Sequence, residues 1–347
     1  MSANLDMSNG RANIAFTGSR KSIWHRMGQE LAPGQSMDVW AEQAGLNWHA
    51  VKVPAYADLS PLPTVGENYL RSNGMCPVED RYFNARSDNG HILGGACLSS
   101  RHENVQPREL LDFFDRYISV DDRFAMSVAG SLGKGETVWA TASFNGGIEI
   151  AGDMHQAYLL ASTTFDGSGA TTIQGTITRV VCNNTLNVAH ADNRAVVKVR
   201  HSTKFEPARA AKQLAEMAKS FEVYKLMGDA LAQAELSREQ VADFFKDMLD
   251  IPRDAKADQV STRKQNQYRD LAISYQRSVN EGAPESSGWA MLQAVTRYVD
   301  HSRSTRGGDD ESQSRFESAN FGSGDTLKGK AMGLLMPRIK DRVLIPA

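Results

Sequence analysis

RAVVKVRHSTKF, residues 194–205, reads as a strand with two unlike faces. Its even positions are Arg194, Val196, Lys198, Arg200, Ser202 and Lys204, and its odd ones Ala195, Val197, Val199, His201, Thr203 and Phe205. Side chains of a strand point alternately to its two sides, so four cations share one face and most apolar groups the other. Two upstream segments alternate in the same way. Over 136–144, Val138, Ala140, Ala142 and Phe144 oppose Thr137, Trp139, Thr141 and Ser143; over 171–181, Ile173, Ile177 and Val181 oppose Thr172, Gln174, Thr176 and Thr178. The pattern predicts a half-buried antiparallel sheet. One side is greasy and suits helices; the wet side carries hydroxyls, a Trp and a row of cations.

Working outward, residues 48–205 are rich in Val, Ile, Thr and aromatics, broken at Asp88-Asn89-Gly90, Asn145-Gly146-Gly147 and Asp166-Gly167-Ser168-Gly169. Those breaks have the turn chemistry of hairpin loops. One helix interrupts the series at 107–117, with Pro107 in its first turn. From 206 the periodicity becomes helical, over 206–234, 237–249, 262–281 and 287–303, with Ser237 and Ser261 as N-caps. A surface loop over 306–314 and a short helix near 325–336 close the chain. The expected class is α+β: an antiparallel sheet and hairpin core packed on helices, followed by a mostly helical C-terminal region. Three stretches follow: 1–47 as an N-terminal arm and first helix, 48–205 as a β-rich nucleic-acid-binding core, 206–347 as the helical region. The arm carries Arg11, Arg20, Lys21 and Arg26 against Asp6, with Ile14 and Phe16 as an apolar hook for a neighbouring subunit.

Composition narrows the classes of function. Of 347 residues 41% are hydrophobic and 23% charged, as expected of a chain with a packed core. Lys and Arg number 39 against 41 Asp and Glu, a net charge of −2, which excludes a wholesale basic coat. No apolar run approaches the ~18 residues of a membrane span, and MSANLDMSNGRANIAF has no long apolar segment of the secretory kind. Cys76, Cys97 and Cys182 make neither a disulfide framework nor a metal knuckle, so a reducing cytoplasm is expected.

Charge is nevertheless local. Residues 179–225 hold nine Lys/Arg against four Asp/Glu, net +5 in a chain that totals −2. On the helix that follows the strand, Arg209, Lys212, Glu216 and Lys219 share one face. A solvated surface with helix ion pairs is one reading; a phosphate-tracking groove is the other. The acid-free run Arg194, Lys198, Arg200, His201 and Lys204 favours the groove. Arg179 and Asn183 flank it, and the amide of Asn183 either caps a helix or meets a base edge or phosphate. Trp139 and Tyr158 are candidates for stacking on bases.

Catalytic motifs are weaker. Gly130-Ser131-Leu132-Gly133-Lys134-Gly135 lacks the hydroxyl after its lysine that a phosphate loop needs, and reads as a hairpin tip. Eight histidines show no HxH or HExxH pairing, and no Ser lies in a GxSxG elbow. Asp153 with His155, and the acids Asp309, Asp310 and Glu311, are the remaining candidates for a nuclease-like site. No metal or cofactor is expected.

Trp24-His25-x-x-Gly28, Arg179-Val180-Val181-Cys182-Asn183-Asn184-Thr185-Leu186 and Arg200-His201-Ser202-Thr203-Lys204-Phe205 resemble the phage/plasmid-like protein family, domain of unknown function 932. The likeness runs almost the full length and carries over no catalytic residue. It implies the setting of mobile elements, often among genes of DNA metabolism. In organisation the chain is also similar to Rad52-like single-strand annealing proteins, which hold one strand in a basic groove and let base pairing do the reaction. The expected function is therefore binding and annealing of single-stranded DNA in recombination, by a cytoplasmic homo-oligomer forming a ring or filament, without catalysis. The alternatives are a nucleic-acid-modifying enzyme and a structural or host-interaction protein.

Overall fold

The expected alternation builds the centre of a nine-stranded sheet. The structure, a computed structural model, describes residues 5–18, 27–61, 75–119, 121–179, 184–187, 196–203, 205–206, 217–304, 318–319 and 322–339. Strands β1 (Ile14–Thr17), β2 (Gln29–Leu31), β6 (Phe124–Leu132), β7 (Thr137–Phe144), β8 (Ile148–Ile150), β9 (Asp153–Thr164), β10 (Thr171–Arg179), β11 (Asn184–Asn187) and β12 (Val196–Val199) form it. Their order is β11-β10-β9-β7-β6-β1-β2, with β12 also beside β10 and β8 beside β9. All pairings are antiparallel except β1 with β2. A second sheet holds β3 (Ala50–Asp58), β4 (Met75–Arg86) and β5 (Leu98–Ser99).

Register explains the buried face. Ala140 lies opposite Ala161 and Ala142 opposite Leu159, while Ile173 also pairs Ala161. These side chains are fully buried, and the small alanines leave room for bulky groups from helices. Helix α1 (Met37–Gln43) and α2 (Pro107–Ile118) bring Trp40, Leu110, Phe113 and Phe114 onto that face. The C-terminal helices α3 (Met217–Gln233), α4 (Arg238–Met248), α5 (Thr262–Asn280), α6 (Gly288–Arg297) and α7 (Ser323–Ile339) extend the same core. The class is α+β.

Local signals act as expected. Ser237 and Ser261 accept from the N–H groups of Gln240 and Lys264, capping α4 and α5. Pro107 opens α2. Gly133 and Gly135 have φ of 70° and 108°, so the phosphate-loop look-alike is the tip between β6 and β7. The helix expected near 325–336 begins two residues earlier, where Ser318 Oγ accepts from the N–H of Gly324, and runs on to Ile339. The loop expected over 306–314 lies outside the described residues.

The N-terminal arm needs correction. Residues 14–17 form a strand inside the sheet, with Ile14, Ala15 and Phe16 fully buried between β6 and β2. Ile14 and Phe16 are thus used within their own chain and do not form a hook. A buried ion pair fixes the residues before β1. Arg86 Nη1 lies 2.5 Å from Asp6 Oδ2 and its guanidinium sits 4.6 Å from the Trp48 ring. Burial pushes the Asp6 carboxyl up, but hydrogen bonds from Ser8, Asn13 and Arg86 outweigh it and hold the group below its ordinary value.

Candidate nucleic-acid interface

The strand quoted first is shorter than its alternation predicts. β12 ends at Val199, and the chain turns over Arg200–Thr203, where the Thr203 N–H donates to the Arg200 carbonyl at 2.9 Å. The Glu103 N–H donates to the His201 carbonyl, and His201 Nδ1 lies 2.9 Å from the Glu103 carbonyl. Those bonds tie the turn to the loop before α2 and stop the strand. Within β12 the two faces hold. Val197 and Val199 pack on the core, whereas Lys198, opposite Thr172, is exposed on the polar face. Arg200 is exposed just beyond, and among the described residues no ion pair holds either cation.

His201 is buried and its ring stacks on His102, with centroids 4.5 Å apart and planes at 27°. Burial, then the neighbouring His201 and Lys52, lowers the His102 pKa to about 4. This pair escaped the sequence reading because its members are 99 positions apart. The phase of His201 with Val197 and Val199 was the available signal.

The remaining expected residues separate into three groups. Arg179 is the last residue of β10, in register with His155 of β9 and Asn184 of β11. Asn183, Arg194, Lys204, Arg209 and Lys212 lie outside the described residues, as do Asp309, Asp310 and Glu311. Trp139 is a correction. It is 6% exposed, packed in a small cluster with Leu5, Ala12, Ile14, Leu132 and Leu160, so its ring has no open face for a base. Residues 5–12 cover that part of the polar face, which the alternation alone did not reveal. His155 is likewise a core residue, its ring edge-on to Trp289 at 5.5 Å and its Nδ1 3.0 Å from the Asp153 carbonyl. Among the described residues no group of three or more His, Cys, Asp or Glu is placed to hold a metal ion.

Tyr158, the other aromatic candidate, is less enclosed. It is partly exposed on the polar side of β9, between Thr176 of β10 and Ser143 of β7. It lines a cleft of about 730 Å³ whose floor is Ser127, Ser143, Gln156 and Thr178. Pro33–Gln35, Trp40 of α1 and Asp115 of α2 also line it, so the cleft extends from the polar face to the elements that cover the other side.

Fold and face together define an α+β protein whose sheet is helix-covered on one side and polar on the other, with cations at the β12 edge. Residues 96–320 match the family described as Domain of unknown function (DUF932), and the chain belongs to that family. The matched stretch contains β6 to β12, α2 to α6 and both histidines of the stacked pair. No curated protein and no solved structure matches the chain.

Proposed function

We propose that the chain binds single-stranded DNA along the polar face of its sheet and promotes annealing, as a homo-oligomer serving a phage or other mobile element. The observation that carries this reading is the β12 edge. Val197 and Val199 pack partly buried against the core, so Lys198 and Arg200 are presented by a fixed backbone beside the half-buried Thr172, while Ser162, Gln174 and Thr176 further along the face are buried. Cations on a rigid element track a phosphate backbone at low entropic cost, and polar neighbours add bonds without choosing a sequence. On the same reading the organisation of the chain is that of a Rad52-like annealing protein. Such a reaction needs no catalytic group, since base pairing drives it.

Fluorescence anisotropy of a labelled oligonucleotide across a salt series tests the proposal. Each phosphate contact on single strands contributes about 0.7 to the slope of log affinity against log salt. Replacing both Lys198 and Arg200 by Ala is expected to flatten the slope by about 1.4, and wild-type protein to speed pairing of complementary strands without magnesium or nucleotide. Cleaved strands point instead to a nuclease, and an unchanged slope removes β12 from the interface.

A further inference from the structure

We propose that the cleft beside Tyr158 is a slot for one uncharged planar heterocycle, a nucleobase, and not part of the phosphate track. The inference rests on the nucleic-acid reading above but concerns a different part of the face. Lys198 stands opposite Thr172, four residues along β10 from Thr176, which faces Tyr158. At ~3.3 Å per residue and ~4.8 Å per strand the two sites lie roughly 16 Å apart.

The chemistry of the cleft decides its occupant. Among the described residues that line it, Asp115 is the one with a full charge, and it is negative. A phosphate placed there meets that repulsion and, among the described residues that line the cleft, no cation. The floor instead offers neutral donors and acceptors. The hydroxyls of Tyr158 and Ser127 make no hydrogen bond to other described residues, and Gln156 uses its amide N–H on the Phe144 and Ala157 carbonyls, leaving its oxygen as an acceptor. Burial pushes the Tyr158 phenol up, which keeps its proton on as a donor at neutral pH. Apolar area comes mainly from the half-buried Ile118, with Phe124, Met37 and Trp40 bordering the cleft from the core. The cleft is open and of mixed polar and apolar lining, and its volume is in the range of small-ligand sites. The ring of Tyr158 supplies a stacking face and the hydroxyls read the edge of the base. One pinned base in each subunit anchors the strand and leaves its neighbours open to pairing.

The base can come from a strand or from a free nucleoside, and two titrations separate them. The first compares an intact oligonucleotide with an abasic one of equal length by anisotropy. The second follows thymidine and thymidine monophosphate by calorimetry. The slot predicts that the intact strand binds roughly tenfold tighter or more, the size of one stacked base, and that Tyr158→Ala abolishes the difference while Tyr158→Phe keeps most of it. Thymidine is expected to bind better than its monophosphate. Ser127→Leu, which fills the cleft from a half-buried position, is the second variant if Tyr158→Ala does not fold, and is expected to act alike. Equal affinity for intact and abasic strands, with no thymidine binding, overturns the slot and leaves DNA binding standing. Thymidine binding that depends on Tyr158, with no strand bound, keeps the slot and ends the DNA reading. A monophosphate that binds better than thymidine overturns the assignment of an uncharged ligand.

Discussion

Trp139 and Lys198 lie on the same side of the sheet and do opposite things. Trp139 is enclosed by Leu5, Ile14 and Leu160, so Trp139→Ala leaves a cavity and is expected to cost about 3–5 kcal/mol in urea unfolding. Lys198 is solvated, so Lys198→Ala is expected to change stability by no more than about 0.5 kcal/mol. Its effect belongs to the salt slope of binding. Should the Trp139 variant melt like the wild type, the small cluster does not hold the N-terminal segment down. His102 adds a pH dependence. With a folded pKa of about 4, below the usual ~6.5 of an unfolded histidine, His102 refuses a proton that the unfolded chain accepts. Stability is therefore fully present above pH ~6.5 and is lost as pH falls towards 4. Urea midpoints at pH 7 and pH 5 are expected to differ less in His102→Phe than in the wild type, and equal differences would place the titrating group elsewhere. At this scale the sequence showed which residues share a face, because alternation fixes that. It did not show which part of the face residues 5–12 cover, because that contact joins segments over a hundred positions apart.

Among the elements, those with local signals were legible: α2 from Pro107, α4 and α5 from their serine caps, the hairpins from their glycine turns. β1 and β2 were not, since four and three residues are too few to display a period of two. β1 earns its place through β6, with Ala15 in register with Ala129. Deleting residues 1–18 thus removes a sheet strand, and the expected result is loss of folding, read by far-ultraviolet circular dichroism, and not a smaller oligomer. A folded truncated protein would contradict the placement of β1. Close approach of α3 to the sheet depends on Gly228, where a Cβ would lie 2.6 Å from Ile150 Cγ2 and 3.2 Å from the Trp289 ring. Ala in place of Gly gains about 1 kcal/mol of helix propensity. Overpacking costs typically 1–3 kcal/mol. Packing wins, so Gly228→Ala is expected to be neutral to destabilising by about 2 kcal/mol, and Gly228→Leu far worse; a stabilised Ala variant would show that α3 shifts freely.

Over the whole molecule a single hydrophobic cluster runs from Trp40 and Phe113 through Ala140 and Ile173 to Trp289 and Leu335. The shift from alternating to helical periodicity near 206 is real in the sequence, yet the sheet's apolar side and the later helices share one core. Ile150 and Ile177 belong to the same cluster as Tyr224, Met227 and Leu231 of α3, and Trp289 of α6 lies against both His155 and Tyr224. Severing the chain at 205 uncovers that surface on both pieces. An exposed apolar area of this extent drives association, and neither fragment retains a closed core. Residues 1–205 expressed alone are therefore expected to aggregate or to lack fixed packing, even though they contain all twelve strands, Lys198, Arg200 and the Tyr158 cleft. The measurement is a thermal melt by near-ultraviolet circular dichroism, which reads the buried tryptophans. Adding residues 206–347 in trans is expected to restore a cooperative transition and, with it, binding to single strands. A fragment 1–205 that melts cooperatively and binds by itself would show that the helical half only decorates a self-sufficient interface. Recovery of packing without binding would show instead that the interface needs the unbroken connection between β12 and the residues that follow it.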